Sequence, residues 1–350
     1  MTGSMAQVLA GGEISIVTGN VTPSLFTLTN TISPNYLDSR TLSVYGNEFI
    51  IINSEYNEPN STVYVSDDNI TWTLSATIAM ETWNVIWDGS QYIASGSAVS
   101  QGTTPPASPA YATSPDGITW SPVQVVATIN TDVVTSFITY SGSQYVIVTE
   151  TRAFISANLI TWSGYTTNVL FNDPIKPPIY ANGQYIAVGG LSTIITSPDA
   201  ITWTTQSILG VENFFLTQII WDGSQYIAVG GATPTVLATD PLIITSPDGI
   251  NWTQRSISGA SPLPYTLLSG ITKKGSEYLA VGEAYNGDYS VNIFYSVKSS
   301  DGISWTSIST IPNIGICGYG SVISSNSNYA LIGYANGYNV DIVTVNATSI

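Results

Sequence analysis

The string Ser-Pro-Asp-Gly-Ile-Thr-Trp at 114–120 returns in near copies along the chain, and such a repeat narrows the accessible folds more than any other feature. Copies stand at 66–72, 156–162, 197–203, 246–252 and 299–305. Their last residues, Trp72, Trp120, Trp162, Trp203, Trp252 and Trp305, recur every ~47 residues, the period range of propeller blades. A second repeat alternates with the first. The segments 85–94 and 219–228 are almost identical, and related runs centre on Phe49, Tyr145, Tyr185, Tyr278 and Tyr329. Each is a β-rich apolar run, a Gly- or Asn-bearing turn and an alternating run, which predicts a hairpin.

The order within a unit is hairpin, variable stretch, Ser-x-Asp turn and Trp segment. It predicts strands A and B around the Gly turn, C before the Ser-x-Asp turn, and D beginning at Ile-Thr-Trp. No helical period competes. The expected fold is therefore all-β, a seven-bladed β-propeller of four-stranded antiparallel blades occupying 1–350 as one domain. Six Trp turns against seven hairpins leave the last blade one outer strand short. A strand near 23–28, with Phe26 in the place of the Trp, is expected to complete it beside 341–345, closing the ring with both termini and removing free sheet edges. Pairing of 14–18 in that same blade is the alternative.

Composition excludes several function classes. The net charge is −16 with only seven Lys plus Arg, so a phosphate backbone would be repelled and no nucleic-acid partner is expected. No apolar run approaches the ~18 residues of a membrane-spanning helix, so no membrane insertion is expected. Residues 1–12 lack a basic region followed by an apolar core, so no secretion signal is visible. The single Cys317 excludes an intrachain disulfide and reads as an inert buried thiol. With no His, Ser-His-Asp and Cys-His catalysis and the commonest zinc sites are excluded; no catalytic residue, metal or cofactor is expected.

The Ser-x-Asp strings resemble the Asp-box, or bacterial neuraminidase repeat, of sialidase-like propellers. The resemblance covers most of the chain, and the motif is shared by enzymes and non-enzymes. It implies a structural role for Asp68, Asp116, Asp199, Asp248 and Asp301, which would accept hydrogen bonds from the turn backbone while the six tryptophans pack into their blades. Asn158 departs from the pattern and suggests a weaker turn in the third unit. A sialidase would need three arginines clamping the substrate carboxylate. This chain has only Arg40, Arg152 and Arg255, which fall on different parts of their blades, and the Arg-Ile-Pro motif of sialidases is missing.

The wiring sets A–B turns and Ser-x-Asp turns on one face, with B–C and D–A loops on the other. Most length variation falls in the B–C loops, long at 97–110, 231–242 and 284–292 and short in blades three and four. This predicts a notch over blades three and four, bearing Arg152, Tyr165, Phe171, Lys176, Phe214 and Phe215. Aromatic faces with a few polar groups suit carbohydrate; the plainer reading is that the phenylalanines anchor their loops. The expected function is a non-enzymatic recognition module for a glycan or surface protein. The repeat texture is similar to that of bacterial surface and phage tail or fibre proteins, which implies an extracellular or virion-associated setting. A protein-binding scaffold and a glycoside hydrolase are the alternatives, the latter because it needs only two carboxylates.

Overall fold

The computed structural model describes residues 7–8, 14–15, 26–32, 39–45, 48–54, 60–67, 71–98, 108–128, 135–169, 176–190, 192–206, 208, 214–231, 241–259, 266–285, 292–311, 321–324, 329–335 and 339–345. Among them there is no helix. Strands β1 (Gln7–Val8) and β2 (Ile14–Ser15) pair with each other, so β2 does not join the last sheet as the alternative had it. After β3 (Phe26–Ile32) come four antiparallel sheets, each in chain order. They are β4 (Ser39–Tyr45), β5 (Glu48–Ser54), β6 (Ser61–Ser66) and β7 (Thr73–Ile78); β8 (Glu81–Trp87), β9 (Tyr92–Ala98), β10 (Ser108–Ser114) and β11 (Gln124–Val125); β12 (Ser136–Tyr140), β13 (Tyr145–Thr149), β14 (Arg152–Ser156) and β15 (Ser163–Thr166); and β16 (Ile179–Ala181), β17 (Gln184–Val188), β18 (Ile194–Ser197) and β19 (Thr204–Gln206).

The next four strands are β20 (Phe215–Trp221), β21 (Tyr226–Gly231), β22 (Leu242–Ser246) and β23 (Thr253–Gln254). A two-residue strand, β24 (Ile257–Ser258), then crosses to the following sheet. That sheet is β25 (Thr266–Lys274), β26 (Glu277–Tyr285), β27 (Asn292–Ser299) and β28 (Trp305–Ile311). Strand β24 runs parallel to β28, with Ile257 opposite Trp305. The last sheet contains β29 (Ser321–Ser324), β30 (Tyr329–Ala335) and β31 (Asn339–Val345), and β3 pairs antiparallel with β31 as its fourth strand. First strands lie against one another in succession: β4 with β8, β8 with β12, β12 with β16, β16 with β20, β20 with β25, β25 with β29, and β29 with β4. The molecule is a β-propeller of four-stranded antiparallel blades.

The core lies between blades. Along β21, Tyr226 and Ala228 pack toward the preceding sheet with Ile186 and Val188, whereas Ile227 and Val229 pack toward the following one with Leu268 and Tyr278. The same division holds in β17, where Tyr185 and Ala187 look back and Ile186 and Val188 look forward. Side chains alternate along a strand, and both faces are covered, so these strands read as unbroken apolar runs.

Hydrogen bonds fix how neighbouring blades register. The Tyr145 hydroxyl donates to Asp88 Oδ2 in the preceding blade's A–B turn at 2.8 Å, and Tyr278 donates to Asp222 Oδ2 at 2.8 Å. Tyr226 does the same to the Ala181 carbonyl at 2.5 Å. In return the turn glutamines reach forward: Gln184 Nε2 donates to the Asp248 carbonyl at 2.7 Å and Gln225 Nε2 to that of Asp301 at 3.3 Å. The two sequence repeats therefore meet at the two interfaces crossed by Gln184 and Gln225.

Strand D begins later than Ile-Thr-Trp in five blades. Strands β7, β15, β19 and β23 start one residue after the tryptophan, and β11 starts at Gln124, four after Trp120. The reason is visible in the turns. The N–H groups of the Ile and Thr positions are already spent on the Asp or Asn side chain, as at Ile201 and Thr202, which donate to Asp199 Oδ1. They are not free to join a ladder.

One glycine in each of three hairpins has a specific task. The pairings β8–β9, β20–β21 and β25–β26 slip at Trp83, Thr217 and Ser269, a β-bulge in the innermost strand. Opposite each slip sits Gly96, Gly230 or Gly282, four residues after the hairpin tyrosine. A Cβ at any of them would stand 1.9 Å from a backbone carbonyl oxygen of the facing strand. Where that position is Asn53 or Thr149, pairing runs without a slip. Gly230→Ala is therefore expected to destabilise the fold by about 2 kcal/mol or more, through overpacking against rigid backbone. Thermal and urea unfolding would measure it, and a variant as stable as the parent would disprove the bulge account.

Candidate functional site

The Ser-x-Asp turns were the strongest sequence signal, and their geometry is uniform. The Asp199 Oδ1 atom accepts from the N–H of Ile201 at 2.9 Å, the N–H of Thr202 at 2.8 Å and the Ser197 hydroxyl at 2.9 Å. Asp116, Asp248 and Asp301 repeat this set. So does Asn158, whose Oδ1 accepts from Ile160 at 2.9 Å, Thr161 at 3.0 Å and Ser156 at 3.2 Å. The amide fills the carboxylate's place with the same connectivity and no charge. The tryptophan indole N–H closes the turn on the carbonyl three residues back, at 3.0 Å for Trp120, 3.2 Å for Trp162, 3.0 Å for Trp203, 3.0 Å for Trp252 and 3.1 Å for Trp305. Asp68 lies outside the described residues, and the Trp72 indole N–H is buried without a partner.

These bonds stabilise the ionised carboxylates. Backbone N–H groups of Ser304 and Ile303 hold Asp301 down to about 2. Asp248 is held lower still by the backbone and side chain of Asn251 and the backbone of Ile250. Asp116 is lowered chiefly by the Thr119 N–H. For Asp222, in an A–B turn, partial burial works to raise the value, yet donors from Gln225, Tyr278 and Ser224 bring it to about 2. Every side-chain oxygen named here is occupied by turn or neighbouring-blade donors. Among the described residues, no group of three or more His, Cys, Asp or Glu side chains converges as a metal would require.

The loop-face candidates are less united than their sequence spacing suggests. Arg152 is exposed at the start of β14, directly after the two residues that connect β13 to β14. It has no ion-pair partner among the described residues. Tyr165 belongs to β15 and not to a loop, and it is 42% exposed. Arg152 pairs with Thr166 and Ala153 with Tyr165, so Arg152 and Tyr165 project to opposite faces of their sheet. Lys176 is half-buried ahead of β16, its N–H donating to the Val188 carbonyl at 2.8 Å. Phe214 packs against the core formed by Ile186, Leu216 and Tyr226, and its backbone is tied to Ser192. It is a loop anchor. Phe215 is half-buried within β20, paired with Gly231. Phe171 lies outside the described residues, as do the interiors of the three long loops and Cys317.

The structure places a concave feature elsewhere. A cleft of ≈ 310 Å³ is lined by Gln254, Arg255, Ser256, Ser258, Ile303, Ser304 and Trp305. It forms where the chain leaves β23 and crosses, as β24, to the next blade's Trp305 strand. The Arg255 N–H donates to the Ile243 carbonyl at 2.8 Å, and its Nε donates to Thr245 Oγ1 at 2.8 Å. The Ser258 hydroxyl donates to the Trp305 carbonyl at 3.0 Å. The sequence places Arg255 just beyond a Trp turn but gives no sign that the next two residues leave their own sheet, which is what opens the cleft. The three arginines occupy three sheets: Arg40 in β4, Arg152 in β14 and Arg255 after β23.

Comparison with known proteins agrees with the architecture. The DUF6242 beta propeller domain matches residues 93–333. A chain in the crystal structure of a mitotic checkpoint complex superposes with a TM-score of 0.55 at 11% identity, over 96% of this chain and 98% of that one. The WD40 β-propeller domain of Doa1 gives 0.55 at 12% identity, over 91% and 97%. Identities this low speak for the fold alone. No curated protein matches the chain.

The depressed carboxylates set a pH dependence. A lowered folded-state value means stabilisation that is complete above the unfolded value of ~3.9 and lost as pH falls through the folded values near 2. Thermal midpoints should hold down to pH ~4 and fall steadily toward pH ~2; a flat profile in that window would refute the assignment. Asn158→Asp should add a charge-assisted acceptor and stabilise by about 0.5 kcal/mol at pH ~7, after allowance for solvent screening. That gain should vanish by pH ~2.

Proposed function

The chain belongs to the DUF6242 β-propeller family, and on that premise we propose that it is a non-enzymatic recognition module that binds carbohydrate through the loop face opposite the Ser-x-Asp turns. The observation that carries this reading is the two-residue connection before Arg152. In the preceding blade 99–107 separate β9 from β10, in the following blade only 189–193 separate β17 from β18, and in the blade after that 232–241 separate β21 from β22. A rigid scaffold with short connections between longer ones, and an exposed guanidinium with no ion-pair partner among the described residues, offers ligand hydroxyls a place to dock. Arg152 is the residue on which the site is built. Tyr165, on the other sheet face, is excluded from direct contact by the same ligand.

The domain itself is proposed to be a seven-bladed ring closed by β3. The support is the pairing of β3 with β31 and the contact of β29 with both β25 and β4. The Ser-x-Asp turns are proposed to be Asp-boxes with a purely structural role, supported by the full occupancy of their Oδ1 atoms. Trp87 and Trp221 are assigned to packing on the same reasoning, since they sit edge-on or tilted against Tyr92 and Tyr226 with centroids 4.7 Å and 4.6 Å apart.

A glycan array probed with the parent chain and Arg152→Ala tests the reading. A defined set of bound sugars, with signals reduced about tenfold or more in Arg152→Ala, is the expected result. Blank arrays would turn the assignment to a protein-binding scaffold, a role propeller domains commonly fill. Turnover of a chromogenic glycoside would overturn the non-enzymatic reading.

A further inference from the structure

Arg255 is half-buried and lines the cleft. The planar fork of a guanidinium is suited to a carboxylate or phosphate. Arg255 has no ion-pair partner among the described residues. The acidic side chain nearest in sequence to the cleft wall, Asp301, is already engaged. Its Oδ1 takes the N–H groups of Ile303 and Ser304 and the Ser299 hydroxyl, and its Oδ2 takes the Ser304 hydroxyl at 3.1 Å. Thr245 uses only the Nε–H of Arg255, at 2.8 Å. That bond leaves the two terminal nitrogens of a cleft-lining arginine for another acceptor.

The rest of the lining defines what would fit. Ser256 and Gln254 supply donors and acceptors, Ser258 and Ser304, whose hydroxyls already donate to Trp305 and Asp301, supply acceptors, and Ile303, 44% exposed, supplies an apolar wall. The volume of ≈ 310 Å³ is at the low end of ligand sites, about 300–1,000 Å³. In a chain of net charge −16, a phosphate-rich polymer is disfavoured at long range. A single carboxylate carried on a neutral, hydroxyl-bearing ring is not. We propose that this cleft is a binding site for a uronic-acid residue, the carboxylate taken by the terminal nitrogens of Arg255 and the hydroxyls by the surrounding serines and Gln254. The site lies beside a Ser-x-Asp turn, away from Arg152, and does not depend on the loop-face reading.

Titration of the full chain with galacturonate, galactose and acetate, followed by NMR line broadening or calorimetry, tests it. Galacturonate should bind, weakly and less well as salt rises, while galactose and acetate bind at least tenfold less tightly. Arg255→Gln should reduce galacturonate affinity tenfold or more, and Arg255→Lys should restore only part of it, since an ammonium cannot make the bidentate contact. Ser256→Tyr, which fills the cleft from an exposed position and leaves Arg255 in place, should block binding while the melting temperature stays near that of the parent. Absence of galacturonate binding, or equal binding by parent, Arg255→Gln and Ser256→Tyr, would overturn the proposal. Equal binding of acetate and galacturonate would overturn the sugar assignment. The cleft is read from Arg255→Gln and Ser256→Tyr and the loop face from Arg152→Ala, so the two sites fail or succeed separately.

Discussion

In three of the blade interfaces a tyrosine hydroxyl crosses from the hairpin to the preceding blade's turn, and the packing there depends on that contact. Apolar faces attract without direction, and two flat sheets of Ile, Val and Ala could slide by a residue with little loss of buried area. A buried hydroxyl cannot slide, because leaving it unpaired costs about 1–3 kcal/mol. Tyr145 on Asp88, Tyr226 on Ala181 and Tyr278 on Asp222 therefore fix one point of each interface. Gln184 and Gln225, reaching forward to the Ser-x-Asp turns of the following blade, fix a second point. Two directional contacts determine orientation where the apolar core supplies the adhesion.

This interlock also explains why the hairpin and Ser-x-Asp strings recur together. Neither is complete within its own blade. The hairpin aspartate orients its own turn through Ser and Gln N–H groups and then receives the next tyrosine, so one carboxylate organises two blades. Its low proton affinity follows from that double use. The outer edge has a related device. Asn168 holds both backbone groups of Trp203 in the next blade, at 3.0 Å and 2.7 Å, and β24 holds Trp305 by strand pairing.

Strand order, antiparallel pairing and the participation of β3 were legible because they follow from repeat spacing and period-two alternation. The start of strand D was not, since Ile and Thr beside a tryptophan look like strand residues until their N–H groups are found on an aspartate. The hairpin glycines were visible as letters, yet their purpose needs the facing backbone. Gly96, Gly230 and Gly282 mark bulges, but Gly189 and Gly333 hold the same place after their tyrosines in hairpins that pair without a slip, so the letter alone does not decide. Asn158 keeps the connectivity of the turn, because a side-chain amide oxygen accepts the same hydrogen bonds as a carboxylate, and lacks only the charge.

The site was harder to read because one residue decides which way a side chain points. Arg152 and Tyr165 are close in the sheet, but their partners Thr166 and Ala153 are adjacent, which sends them to opposite faces. Sequence composition likewise ranks Arg152 and Arg255 as equals, whereas their surroundings differ in a way that affects recognition. An exposed arginine loses rotamer freedom on binding and is screened by salt. Arg255, pinned through Nε to Thr245, has lost much of that freedom already, so less is lost when its terminal nitrogens meet a ligand. The two arginines thus differ in the freedom each would lose on meeting an acceptor, a difference set by one hydrogen bond and invisible in composition.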